Sequence, residues 1–313
     1  MSIEVLLSTY NGEKYLGEFL DSLLSQTHDD FKVLVRDDGS SDDTIPIIEH
    51  YKEKFAGRMI QVSEPDENVG PSRSFSSLMM ASTADYVLFA DQDDVWLPNK
   101  IQLLYVEMQE QESKHPDAPI LVQCDLEVVD EKLNCIAPSF WEFQGLNPTR
   151  NRLADIVMQN TVTGCAVMLN RKLVTRVKGV PESAIMHDWW IALVAAAFGY
   201  IVSVPVSLIR YRQHGLNSVG AKKYGLLYVL GRFFDMCSRR GVDNVRQSLE
   251  RVRKQAESFL REYGTSLCSD DRLLLERFIM LPSMTWFGRR YFLLKNGMFK
   301  HGLVRNLGLF LSI

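Results

Sequence analysis

A chain of 313 residues suffices for one large or two ordinary domains, and 46% hydrophobic with 24% charged residues is the composition of a globular protein, not a disordered or fibrous one. The net charge of −4 hides an asymmetry: residues 1–220 carry −13, and residues 221–313 carry +9, with 17 basic against eight acidic side chains. The acidic part argues against nucleic acid as a partner. The five cysteines show neither C-x-x-C nor Cys/His zinc spacing, which argues against a disulfide framework and a structural zinc and fits a reducing compartment such as the cytoplasm.

In chain order, the first 110 residues alternate strand and helix signals. Ile3–Leu7 reads as a strand, 13–26 as a helix with an apolar stripe, Phe31–Val35 as a second strand, and Asp42–Tyr51 as a helix entered through Ser40-Ser41. Met59–Val62, 71–81 and 86–90 continue the pattern as strand, helix and strand, and 100–112 as a further helix. Ile120–Val129 reads as strand, Val162–Leu169 as another, and 188–198 as a buried helix, with a less regular stretch before 160. Ile191–Ile209 runs 19 residues without a charge, near the length of a membrane span, but Gly199 and Pro205 divide it into a helix, a turn and strands. Residues 222–313 read as helical, basic and aromatic, so a boundary is expected near 221. The expected fold is α/β: a Rossmann-like, mostly parallel sheet flanked by helices, with a C-terminal helical region.

In such sheets ligands bind beyond the carboxyl ends of the strands. The polar clusters follow strands here: Ser8-Thr9-Tyr10-Asn11, then Asp37-Asp38-Gly39-Ser40, then Asp91-Gln92-Asp93-Asp94. Carboxylates at a strand tip suit a divalent cation bound against phosphates, though each cluster alone reads equally as a turn or helix cap. Asn68-Val69-Gly70 leads into a helix carrying Arg73 on its first turn. His187-Asp188-Trp189-Trp190 opens another helix, where Asp188 is either a carboxylate favoured by the helix dipole or a general base. The two tryptophans are either a sugar platform or core. Arg212 and His214 follow a strand, where they could meet a diphosphate or its metal.

The order and spacing of these motifs over residues 1–220, with Trp96-Leu97-Pro98 after the acidic cluster, resemble family 2 glycosyltransferases. The resemblance implies the GT-A fold, an inverting enzyme and a nucleotide-sugar donor. It implies nucleotide contacts from Ser8, Thr9, Tyr10, Asp38, Arg73 and Asp91. It implies Mn²⁺ or Mg²⁺ held by Asp93, the preferred ligand, with Asp91 and His214 helping and Asp94 structural. Arg212, His214, Trp189 and Trp190 fall on the diphosphate and acceptor side, and Asp188 matches the catalytic base. The family often has a Glu-Asp pair at the base; here residue 187 is His. The Gln-x-x-Arg-Trp motif of processive synthases is absent, and Tyr211-Arg212-Gln213-His214-Gly215 is similar to rhamnosyltransferase-type members, which implies dTDP-rhamnose and bacterial surface polysaccharide synthesis on a saccharide or lipid-linked acceptor. UDP-hexose or UDP-HexNAc donors are the alternative, as is a non-catalytic scaffold that binds sugar nucleotides. The basic aromatic tail Leu281–Ile313 reads either as an amphipathic surface on the inner membrane face or as helices packed on the chain or in a homodimer. A nucleotidylyltransferase is disfavoured by Ser-Thr-Tyr-Asn-Gly where a Gly-rich loop is needed, and a dinucleotide oxidoreductase by the lack of G-x-G-x-x-G.

Overall fold

The computed structural model describes residues 1–62, 68–215 and 239–313. The helical reading of 222–238 and the Leu216-Asn217-Ser218 segment lie outside the described residues. The chain divides into two compact units. One takes Met1–Phe140, Val162–Val180 and the segment from Gly199; the other takes Trp141–Thr161, Pro181–Phe198 and the C-terminal helices. The second unit thus draws in two segments that lie before the expected boundary at 221.

The first unit begins β1 (Ile3–Thr9), α1 (Leu16–Leu24), β2 (Lys32–Asp37), α2 (Thr44–Lys54), β3 (Met59–Gln61), α3 (Pro71–Ala81) and β4 (Tyr86–Asp91). The apolar runs behind β1, β2 and β4 are buried on both faces, as strands covered by helices on each side must be. α1 starts later than its apolar stripe suggests, because Gly12 O accepts from both Tyr15 N and Leu16 N in a preceding turn. β5 (Val95–Trp96), α4 (Lys100–Lys114), β6 (Ile120–Val129) and β7 (Cys135–Ala137) follow. After α5 (Phe140–Gln144) and α6 (Leu153–Met158) comes a short 3-10 turn, Gly164–Ala166, where a continuous strand was expected; β8 is only Val167–Asn170. The Asn170 side chain then caps α7 (Arg171–Val177) by accepting from Leu173 N. α8 (His187–Phe198) precedes β9 (Tyr200–Arg212), so the uncharged 191–209 run is a helix, a turn and a strand. Among the described residues, no helix is long and apolar enough to cross a membrane.

The sheet order is β3-β2-β1-β4-β8-β6-β9-β5, with β7 pairing β6. Strands β3, β2, β1 and β4 are mutually parallel, β8 is antiparallel to both β4 and β6, and β9 is parallel to β6. Among the described residues, six of the nine strands therefore share one direction, the mostly parallel sheet expected. Within the second unit, α6 lies against α8, and α8 contributes Trp190 to a cluster with Phe259 and Tyr263 of α9 (Arg239–Tyr263). α10 (Ser269–Ile279), α11 (Trp286–Asn296) and α12 (Leu303–Ser312) complete that unit.

Candidate functional site

Register brings the strand-end motifs together. Ser8 lies beside Asp91 of β4 and beside Arg36 of β2, and Thr9 lies beside Asp37, so the polar ends of three adjacent strands form one edge. Side chains lock that edge. The Thr9 hydroxyl donates to Asp37 Oδ1 (2.7 Å), and Asp37 Oδ2 accepts from Gly39 N (3.1 Å) and Ser40 N (2.7 Å). Asn11 adopts φ 45°, a left-handed conformation that asparagine tolerates, and its Oδ1 accepts from Ser41 N. Gln92 pairs with the Tyr10 backbone in both directions, accepting from Tyr10 N (2.9 Å) and donating to Tyr10 O (2.8 Å). Tyr10 remains 47% exposed at this edge. Ser8 exchanges a hydroxyl hydrogen bond with Ser74 (2.7 Å), and Arg73 is exposed on the first turn of α3.

Asp38, expected to read a pyrimidine, is buried and committed to the framework. Its Oδ1 accepts from Arg36 (2.5 Å) and Val69 N (2.9 Å), and Oδ2 accepts from Gly70 N (2.8 Å). It shapes the loop entering α3, where Gly70 sits at φ 78°.

The acidic cluster gathers Asp94 and Cys165 with Asp91, beside the expected ligands Asp93 and His214. Ligand atoms of Asp91, Asp94 and Cys165 lie within 4.8 Å of one another. Asp93 Oδ2 lies 2.7 Å from His214 Nε2. Asp94 is fully buried; its Oδ1 accepts from Arg212 N, and its Oδ2 has no hydrogen-bond partner among the described residues. Burial first, then the neighbouring charges of Asp93 and Asp91, push its carboxyl well above the usual carboxylate range. Burial likewise pushes the Cys165 thiol up. An orphaned carboxylate oxygen beside a second carboxylate is a donor set that fits Mn²⁺ or Mg²⁺, whereas the thiol suits softer ions.

Lys100 closes the back of this cluster. It is wholly buried, donates to Cys165 O (2.7 Å) and sits over the Trp96 ring at 3.1 Å. Burial lowers it to about 8 against the pull of the nearby Asp94 and Asp91. Sequence reading missed Lys100, Cys165 and Gln92. Lysine at a helix start ordinarily reads as surface, and Cys165 lies more than 70 residues from the cluster it joins.

Arg212 does not offer a free clamp. Its guanidinium is buried and donates to Asp93 O (2.9 Å) and Glu131 O (2.6 Å), pairs with Glu18, and lies over the Tyr15 ring. It braces the acidic loop from behind. Trp190, expected on the acceptor side, is 1% exposed and packs edge-on against Phe259, so it is core. Trp189 is half-buried, and its indole donates to Ile156 O (2.7 Å), fixing α8 to α6. Asp188, half-buried on the first turn of α8, accepts at Oδ1 from Asn160 Nδ2 (3.2 Å).

Residues 4–175, more than half of the chain, match the model of glycosyl transferase family 2. The chain belongs to that family. An uncharacterized glycosyltransferase of Nostoc sp. is 27% identical over 225 residues, covering 70% of this chain and 66% of its own length. The dTDP-rhamnosyl transferase RfbG of Shigella flexneri is 24% identical over 237 residues, covering 69% of this chain and 74% of the relative. TarS of Staphylococcus aureus, a poly(ribitol-phosphate) beta-N-acetylglucosaminyltransferase, is 37% identical over 97 residues, 30% of this chain and 16% of TarS. The structure of TarS 1–349 in complex with UDP-GlcNAc matches with a TM-score of 0.56 at 17% identity, covering 84% of this chain and 73% of that one. This likeness shows that the family 2 chain has the same α/β fold.

Proposed function

We propose that this family 2 glycosyltransferase is inverting and non-processive. It moves a sugar from a nucleotide sugar, with dTDP-rhamnose as the donor, to a saccharide or lipid-linked acceptor of bacterial surface polysaccharide. The observation that carries the reading is the register of β2, β1 and β4, which sets Ser8, Thr9, Asp37 and Asp91 on one sheet edge beside the orphaned Asp94 oxygen. Ser8, the exposed Tyr10 and Arg73 take the base side. Asp91 and Asp94 hold the divalent cation, with Asp93 and His214 as its flank; when bound, that cation supplies Lewis-acid stabilisation of the departing diphosphate. Asp188 accepts the proton of an acceptor hydroxyl as that oxygen attacks the anomeric carbon. The bond from that carbon to the diphosphate oxygen breaks on the opposite face, so configuration inverts. The basic helical tail faces the cytoplasmic side of the inner membrane. Similarity to RfbG supports a rhamnosyl donor. Similarity to TarS favours UDP-GlcNAc as a second reading.

A panel of dTDP-, UDP- and GDP-sugars, scored by thermal shift with and without Mn²⁺ and then by transfer, tests the donor. Stabilisation by dTDP-rhamnose alone supports the first reading, and stabilisation by UDP-GlcNAc alone replaces it with the second. Asp188→Asn should cut turnover by about 100- to 10,000-fold while leaving donor binding intact. Near-normal turnover would refute the base assignment.

A further inference from the structure

Exposed apolar side chains concentrate at one end of the chain. Of eighteen large hydrophobic residues exposed among the described residues, eight lie between Met280 and Leu311. On α11, Phe287, Tyr291 and Leu294 recur at i, i+4 and i+7 and are 78%, 67% and 57% exposed. On α12, Leu303, Leu307 and Leu311 recur at i, i+4 and i+8 and are 88%, 44% and 61% exposed. The buried Phe292, Leu293 and Leu309 hold these helices from their other sides. Helices of globular proteins ordinarily bury such stripes. Arg290 ties the two helices together, stacking on Trp286 at 3.6 Å and donating to Phe310 O.

A cleft of about 230 Å³ opens at the ends of the same helices. Arg246, Glu250 and Arg253 of α9 line it with Arg289 of α11, over Leu281 and Pro282. Arg253 is matched to Glu250 at 2.7 Å. Arg246 spends its Nε on Ser312 O, and Arg289 donates to Met284 O and Pro282 O. Among the described residues, neither arginine has a carboxylate at ion-pair distance.

We propose that this end of the molecule is a docking surface for an anionic lipid bilayer: the two apolar stripes enter the interface, and the arginine cleft takes the phosphate of a lipid headgroup. Charge complementarity selects this occupant. The 221–313 segment carries +9, and guanidinium forks match phosphate oxygens geometrically. Aromatic residues flanked by arginine and lysine are the side chains that an interfacial helix uses. The proposal rests on the membrane-facing reading of the tail and adds the headgroup site to it.

The test is co-sedimentation of the full chain with phosphatidylcholine vesicles and with vesicles in which a third of the lipid is phosphatidylglycerol. Wild type should bind both and prefer the anionic vesicles. Each arginine near an anionic surface contributes about fivefold, so Arg246→Gln/Arg289→Gln should lose roughly 30-fold of that preference while keeping its phosphatidylcholine binding. Arg253→Gln alone, which disturbs no backbone contact, should lose about fivefold and serves if the double variant misfolds by circular dichroism. Phe287→Ser/Tyr291→Ser should release the protein from both vesicles. If folded arginine variants keep the full anionic preference, the headgroup site is overturned and the membrane reading stands. If wild type sediments with neither vesicle, both fall. Two outcomes then name the true occupant: stabilisation by inorganic phosphate beyond that of equal-ionic-strength chloride marks a soluble phosphate, and a wild-type dimer that Phe287→Ser/Tyr291→Ser renders monomeric marks a second copy of the chain.

Discussion

Gly12 leaves no space for a side chain at the strand-end edge. A Cβ there would lie 2.3 Å from Gln92 Oε1, the atom that accepts from Tyr10 N. Gly12→Ala should push Gln92 off the Tyr10 backbone, raising the donor KM while leaving the thermal midpoint nearly unchanged; an unchanged KM would show that the Gln92 clamp is dispensable. The acidic cluster makes a sharper forecast. Asp91→Asn and Asp94→Asn should reduce Mn²⁺ affinity more than Asp93→Asn, whose loss should stay within the roughly 10- to 100-fold typical of groups that orient ligands. Titration of Mn²⁺ by electron paramagnetic resonance gives the order directly. Proximity in sequence marked Asp91 and Asp93 as readable, because both stand at the tip of an apolar strand. What the sequence did not show is that the chain's turn into β5 buries Asp94 and sets Asp93 beside His214, a residue 121 positions away. No local pattern encodes that.

At the level of elements, the tryptophan pair of α8 separates two kinds of cost. Trp190 is enclosed by Phe259 and Tyr263, so Trp190→Ala should cost about 3–5 kcal/mol, measured by urea unfolding. A loss below about 1 kcal/mol would contradict the core assignment. The adjacent side chains point to different surroundings because a helix turns 100° per residue, and a Trp-Trp doublet alone does not say which faces inward. The strands of the first half were legible because buried β1, β2 and β4 are continuous apolar runs. β8 was less so: the apolar stretch Val162–Leu169 has no signal to mark the 3-10 turn at Gly164, where Ala166 N donates to Thr163 O. α7 was missed as well, since only the Asn170 cap announces it. The second unit extends beyond the segment expected after 221 for a related reason. Segments 141–161 and 181–198 join the C-terminal helices through contacts such as Ile185 N to Gln255 Oε1 (2.7 Å), made across 70 residues.

For the whole molecule, two buried histidines tie the second unit's stability to pH. Burial holds His187 and His301 down to about 4, against an ordinary value near 6.5. His301 Nδ1 accepts from Asn147 N (2.9 Å), a bond that requires the neutral ring. Above pH 6.5 both rings are neutral whether the chain is folded or not. As pH falls from 6.5 towards 4, the unfolded chain takes up protons that the folded unit refuses, so stability declines across that window and this contribution levels off below it. Thermal melts at pH 7 and pH 5 should therefore differ by several degrees, and His301→Gln should shrink the gap; a midpoint that does not move with pH would contradict the neutral, buried rings.

The antiparallel strand β8 carries a consequence for how the chain is made. It seals the edge of β4, yet it is synthesised some 75 residues after that strand, and β6 waits on β9 for its own outer edge. During translation, a nascent chain that has emerged only as far as α4 presents β4 with a bare row of amide and carbonyl groups, the template on which neighbouring chains aggregate. Slow, long-range closure of this kind makes the yield of soluble protein depend on the interval between emergence of β4 and arrival of β8. Chaperone supply and expression temperature act on that interval, not on the stability of the finished sheet.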